Sequence, residues 1–296
     1  MQPTGPERNR VSFVVALAAL VAVLLASSGT ARAAWTQIAR VLSLHGRPEP
    51  ASANVLSTHH LEALESMPPQ AQAEFLLERA MNHYEGATRQ IEARLPTWRG
   101  AIQPGDQFEH LFRMAINSDD LRVRAAAVEI DIVARKLEKN TETVDRLEPI
   151  ARTGEQGPRA NALWDLGLIG GRGTEQSRIA SIILASTHDD NVNIRYWAVE
   201  GLAYLGTDEV TEPLLDIFHD DLSPMIRERA ACSLAQSGML NREQRMRAVP
   251  RLLEFAGDGA LDERTRGWVF QALRDITGES LPADASAWRA WYRDLR

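Results

Sequence analysis

Apolar residues in this chain recur at intervals of three and four, the period of a helix packed on one side. Between Pro69 and Leu95 the stripe Leu76, Ala80, Tyr84, Ala87, Ile91, Leu95 keeps that spacing and predicts one long helix. A short helix precedes it, opened by Ser57 or Thr58 and closed by Pro68 and Pro69. "LPTWRGAIQPGD" reads as a loop. From Gln107 onward helices come in pairs. The first members carry stripes such as Phe108, Leu111, Phe112; Ile179, Ile182, Ile183; and Val210, Leu214, Phe218. Pro149, Pro213 and Pro250 fall in such helices and predict kinks or first turns.

The second members follow a rule. Arg159, Ala162, Leu166 and Gly170 share their spacing with Arg195, Ala198, Leu202, Gly206 and with Arg227, Ala230, Leu234, Gly238. Evenly spaced copies of one template mark an internal repeat. Arg124 and Ala127 begin a flanking copy in which Asp131 stands where Leu is expected, and Leu273 with Gly278 ends another. Worn end copies are expected, since an end unit has one neighbour. Ala and Leu four apart lie on one helix face, the small Ala permits close approach, and the Gly predicts a left-handed helix end.

These residues resemble HEAT repeats, including the variant of phycobilisome-lyase-type bacterial proteins. The nearest pieces are "NVNIRYWAVEGLAYLG" and "PMIRERAACSLAQSG", and the likeness runs from about Gln107 to Gly278. Trp288 and Trp291 resemble the closing cap of such chains. The resemblance implies an all-α fold, an α-solenoid: a right-handed superhelix of about five helix pairs after an N-terminal helical cap. The expected division is a signal peptide at 1–33, a flexible linker at 34–54, the cap at 55–106 and the repeats with their Trp-rich end at 107–296. It also implies a structural ladder between neighbouring units, with Asp190/Arg195 and Asp221/Arg227 as its rungs.

Charge and the N-terminus narrow the function. Arg8 and Arg10, then "VSFVVALAALVAVLLASS", then "ARA" ending at Ala33 read as a secretory signal. The expected location is the periplasm or cell envelope, with membrane attachment through residues 11–26 only if the segment stays uncleaved. The signal is net basic (Arg8, Arg10 and Arg32 against Glu7), so the rest is more acidic than the full chain at −7. Such a balance disfavours nucleic acid, which needs surplus Lys and Arg. The single Cys232 excludes an intrachain disulfide.

Catalytic motifs are absent from the sequence. "GLIGGRGT" follows a helix and lacks the P-loop lysine, and there is no Gly-x-Ser-x-Gly elbow. The repeated His-Asp-Asp at His188 and His219 falls at turns, where Asp caps a helix, and no metal or cofactor is expected. One further pattern stands out. Two, five and nine residues after the template Arg, off the Ala/Leu face, lie Trp164, Trp197, Glu200, Tyr204 and Arg229, with Trp268 shifted by one. In HEAT solenoids that face is concave. The stripe therefore reads either as packing between repeats or as a surface for a protein or peptide partner. The functional expectation is an exported, non-enzymatic scaffold; the alternative is an accessory of the lyase-like class that handles a bilin or other cofactor.

Overall fold

The computed structural model describes residues 54–295, where the regular elements are helices apart from an isolated parallel bridge between Val55 and Glu85. The expected signal, and the linker save for Asn54, lie outside the described residues. The N-terminal group consists of α1 (Thr58–Ser66), α2 (Pro69–Met81) and α3 (Ala87–Trp98). The single helix expected from Pro69 to Leu95 is therefore two. His83 and Gly86 adopt left-handed backbone, φ 55° and 89°, and Glu85 leaves the helix path to bond Asn54 and Leu56. The stripe survives the break because α2 and α3 pack on each other. Buried Trp98 ties them, its Nε1 donating to Gln72 Oε1 at 3.0 Å.

Helix pairs follow: α4 (Asp106–Ala115) with α5 (Leu121–Ala134), α6 (Thr141–Thr153) with α7 (Gln156–Gly170), α8 (Gln176–Ala185) with α9 (Val192–Leu205), and α10 (Thr211–Asp220) with α11 (Pro224–Ala235). In the last pair the first helix is split into α12 (Arg242–Arg247) and α13 (Val249–Ala256), and the second is α14 (Glu263–Thr277). Pro250 sits in the first turn of α13, where its missing N–H costs nothing, so the break falls just before it at Ala248. Helix α15 (Ala285–Asp294) closes the end, with Trp288 fully buried and its Nε1 donating to Pro282 O at 2.9 Å.

Helices α7, α9, α11 and α14 stack side by side as one row. Ala162, Ala198 and Ala230 are buried in that row together with Leu166, Leu202 and Leu234. The tightest approach joins α7 to α9. A Cβ on Gly167 would stand 2.5 Å from Gly201 O, and one on Gly201 would stand 2.7 Å from Leu163 O. Template Gly206 ends its helix as expected, at φ 59°; Gly238 is also left-handed, at φ 71°, but lies three residues past the end of α11. Gly170 is not left-handed; it remains inside α7, where a Cβ would lie 2.7 Å from Leu205 Cδ1.

The ladder runs between repeats, one step displaced from the expected pairing. Arg195 donates from Nε and Nη2 to Asp221 at 2.8 and 3.1 Å, across to the next repeat. Arg227 likewise reaches forward to Asp262 at 2.8 Å, and Arg159 reaches Asp189 at 2.6 Å. Within its own repeat each Arg meets only main chain, as Arg195 does at Asp189 O and Asp190 O and Arg227 at Asp221 O. The Asp190 side chain is thus not a rung, and Asp221 serves Arg195 rather than Arg227. A guanidinium a turn into the helix passes its own cap and extends toward the neighbour, where a bidentate carboxylate fits it.

Two substitutions test this framework. Gly167→Ala should destabilise by about 1–3 kcal/mol, although alanine favours a helix, because the α7 and α9 backbones must separate. Arg195→Lys should lose about 1–3 kcal/mol through the missing fork to the largely buried Asp221. Both are read from urea unfolding midpoints, and unchanged midpoints would contradict the packing described.

Candidate functional site

The inner face of the row is only partly free, because α5 lies across it. At its C-terminal end α5 meets α7: Arg135 bonds Asp131 on its own helix and approaches Asp165 at 3.7 Å. At its N-terminal end the chain meets later repeats. Tyr204 Oη donates to Ile116 O at 3.4 Å, and Arg124 Nη1 donates to Gly238 O at 2.5 Å. Helix α5 and the turn that precedes it thus reach α7, α9 and the turn after α11. Its burial agrees: Val123, Ala126, Ala127, Val128, Ile130, Ile132, Val133 and Ala134 are all buried, so apolar side chains occupy every side rather than one stripe.

This placement decides the fate of the aromatic stripe. Trp164 is 6 % exposed, Tyr204 2 % and Glu200 7 %, so these three are packing residues and not free surface. Trp164 and Tyr204 sit edge to face with ring centres 4.7 Å apart, and Trp197 stands 5.9 Å from Trp164. Trp197 and Trp268 are half-buried and retain some access. Glu200 forms a largely buried ion pair with Arg229, Nη2 donating to Oε2 at 2.9 Å. Burial first, with the Glu200 charge added, raises the Tyr204 hydroxyl far above the usual phenol range.

The degenerate repeat copy acquires a reason here. Asp131, where the template has Leu, is fully buried and held by Arg135 at 2.8 Å. Burial pushes its carboxyl up, with Arg135 opposing that rise. Asp165 behaves similarly and is raised to about 6 by burial, the nearby Arg135 only partly compensating. Two carboxylates against one guanidinium leave a deficit of positive charge at the α5–α7 contact.

Beyond α5 the inner face opens into a cavity of about 810 Å³ over α11 and α14. Arg124, Arg229, Arg242 and Arg245 line it, with Asp119, Asp275 and Cys232. Arg124 and Arg245 are 5 % and 7 % exposed. Arg245 donates to three main-chain carbonyls, Leu234 in the last turn of α11 and Ser237 and Leu240 in the loop after it, at 3.1, 2.9 and 2.9 Å. Its guanidinium is pushed down to about 10, by burial first and then by the charge of Arg124. Burial also raises the Cys232 thiol, which disfavours a nucleophilic thiolate. Of the residues that the sequence marked for a partner, Arg229 lines this cavity; the buried arginines went unmarked, because Arg245 falls outside the repeat template and Arg124 looks like a worn rung.

The histidines of the repeated His-Asp-Asp have separate surroundings. His219 bonds Asp220 through Nδ1 at 2.5 Å and Asp258 through Nε2 at 2.9 Å. Burial opposes its charge, but the two carboxylates outweigh it and raise its pKa. His188 lines a different, acidic groove with Asp216, Asp220 and Asp221. Among the described residues no three His, Cys, Asp or Glu side chains converge as metal ligands, and no helix is long and apolar enough to cross a membrane.

A family model for HEAT repeats matches residues 144–235 and, in a second register, residues 179–274. No curated protein matches the chain. The matched range covers α7, α9 and α11 completely and begins after α5, the helix that leaves the row.

Asp165→Asn should stabilise the protein at neutral pH. A carboxyl with a raised folded pKa binds its proton more tightly folded than unfolded, so its share of stability is present below about pH 4 and is lost as pH rises through about 6. The neutral variant should therefore gain on the order of 1–3 kcal/mol above pH 6 and lack that part of the pH slope. Urea midpoints between pH 4 and 8 measure both.

Proposed function

Taking as premise that this is a HEAT-repeat protein, its repeats matched over residues 144–274, we propose that it is an exported, non-enzymatic scaffold that docks a protein or peptide partner on its inner face. Helical repeats of this kind offer long continuous surface and serve protein interaction. The observation that carries the reading is the division of that face by α5. Trp164 and Tyr204 of the aromatic stripe are used up in packing, while the stretch over α11 and α14 stays open, and half-buried Trp268 lies on the same α14. A docking surface needs such an accessible concavity with aromatic and arginine side chains at hand. The signal-like N-terminus supports export, and the acidic balance of the chain makes protein a better partner than nucleic acid.

Cross-linking in intact cells tests this. A photoreactive residue at position 268 should give a discrete adduct in the cell envelope, whereas the same residue at Glu212, on an exposed first helix, should not. Adducts at neither site, or at both equally, would count against inner-face docking.

A further inference from the structure

The cavity beyond α5 has a charge that the rest of the chain does not share. The chain as a whole is −7, yet Arg124, Arg229, Arg242 and Arg245 converge here against Asp119 and Asp275. Glu200 is spent on Arg229. Arg124 and Arg245 are both buried, and neither has a carboxylate bonded to it. Arg124 donates to Ser118 O and Gly238 O, and Arg245 to one carbonyl in the last turn of α11 and two in the loop after it. Carbonyl dipoles at a helix C-terminus offset part of a positive charge but carry only about half a unit. Burying two like charges side by side is costly when no carboxylate is bonded to either, Asp119 and Asp120 acting on Arg124 only from a distance. In the ladder every comparable arginine is bonded to an aspartate; here neither buried arginine is, and an open cavity lies beside them.

We propose that this cavity is an oxyanion-binding site that receives acidic side chains of a docked peptide segment. The inference rests on the scaffold reading above and adds the chemistry of the partner. Guanidinium groups suit carboxylate and phosphate alike, since both present paired oxygens to the fork. Exposed Arg242 at the rim steers the segment inward, and the buried pair supplies the fixed positive field. Cys232, in the cavity wall and the only cysteine of the chain, becomes covered when the segment is in place.

The test uses the full chain and three fluorescent peptides: one rich in glutamate, one with phosphoserine in place of glutamate, and a glutamine-rich control. Anisotropy should show binding of at least one acidic peptide at low salt, weakening as salt rises, and none of the control. Binding of the first or the second alone assigns carboxylate or phosphate. Arg242→Glu, a rim change that removes no internal bond described above, should weaken binding about tenfold. Alkylation of Cys232 by a neutral reagent should slow severalfold under saturating peptide. The idea is overturned if neither acidic peptide binds, if Arg242→Glu binds as tightly as the parent, if Cys232 stays unprotected, or if a single-stranded oligonucleotide binds more tightly than either peptide. A photo-adduct at position 268 that persists in Arg242→Glu, with no acidic peptide bound, would sink the anion site and leave inner-face docking standing.

Discussion

The close contact of second helices in the row is the constraint on which the rest of the structure depends. At Gly167 and Gly201 two helix backbones touch with no side chain between them, and alanines occupy the template positions beside and beyond. Helices that near share one core rather than two, and each repeat then needs its neighbour to bury its apolar face. The distance also sets the reach of the ladder. Arg195 and Arg227 can lie bidentate or forked on the next repeat because the next helix cap is within one side-chain length.

The row in turn creates the seat for α5. A row of second helices presents a broad face of Trp, Tyr and Glu, too apolar to remain bare. The chain covers part of it by laying α5 and the turn before it across the row, and the cost appears as buried charge: Asp131 and Asp165 around Arg135, Glu200 on Arg229, Arg124 on main chain. Buried ion pairs of this kind contribute little net stability but penalise any arrangement that separates them. They fix where α5 ends, and so where the open cavity begins. Function, on this view, occupies the part of the inner face that the chain's own helix does not reach.

Much of the architecture could be read in the sequence because it is set by short-range rules. The Ala and Leu spacing of Ala198 and Leu202 follows from helical period alone, and a glycine such as Gly206 at a helix end follows from backbone sterics. HEAT likeness and the all-α solenoid rest on those same residues. Even the departure at Asp131 was visible as a mismatch, though its meaning was not.

What the sequence could not decide is which groups meet across distance. Trp164 and Tyr204 carry the same offsets whether they face solvent or another helix; only the path of α5, set by contacts as remote as Arg124 to Gly238, puts them inside. The same holds for Asp221, whose arginine lies one repeat back, and for residues 82–86, where a continuous stripe hides a turn. Periodicity fixes the face a side chain occupies on its own helix. The partner on that face depends on the crossing and curvature of whole helices, and those belong to the packed structure alone.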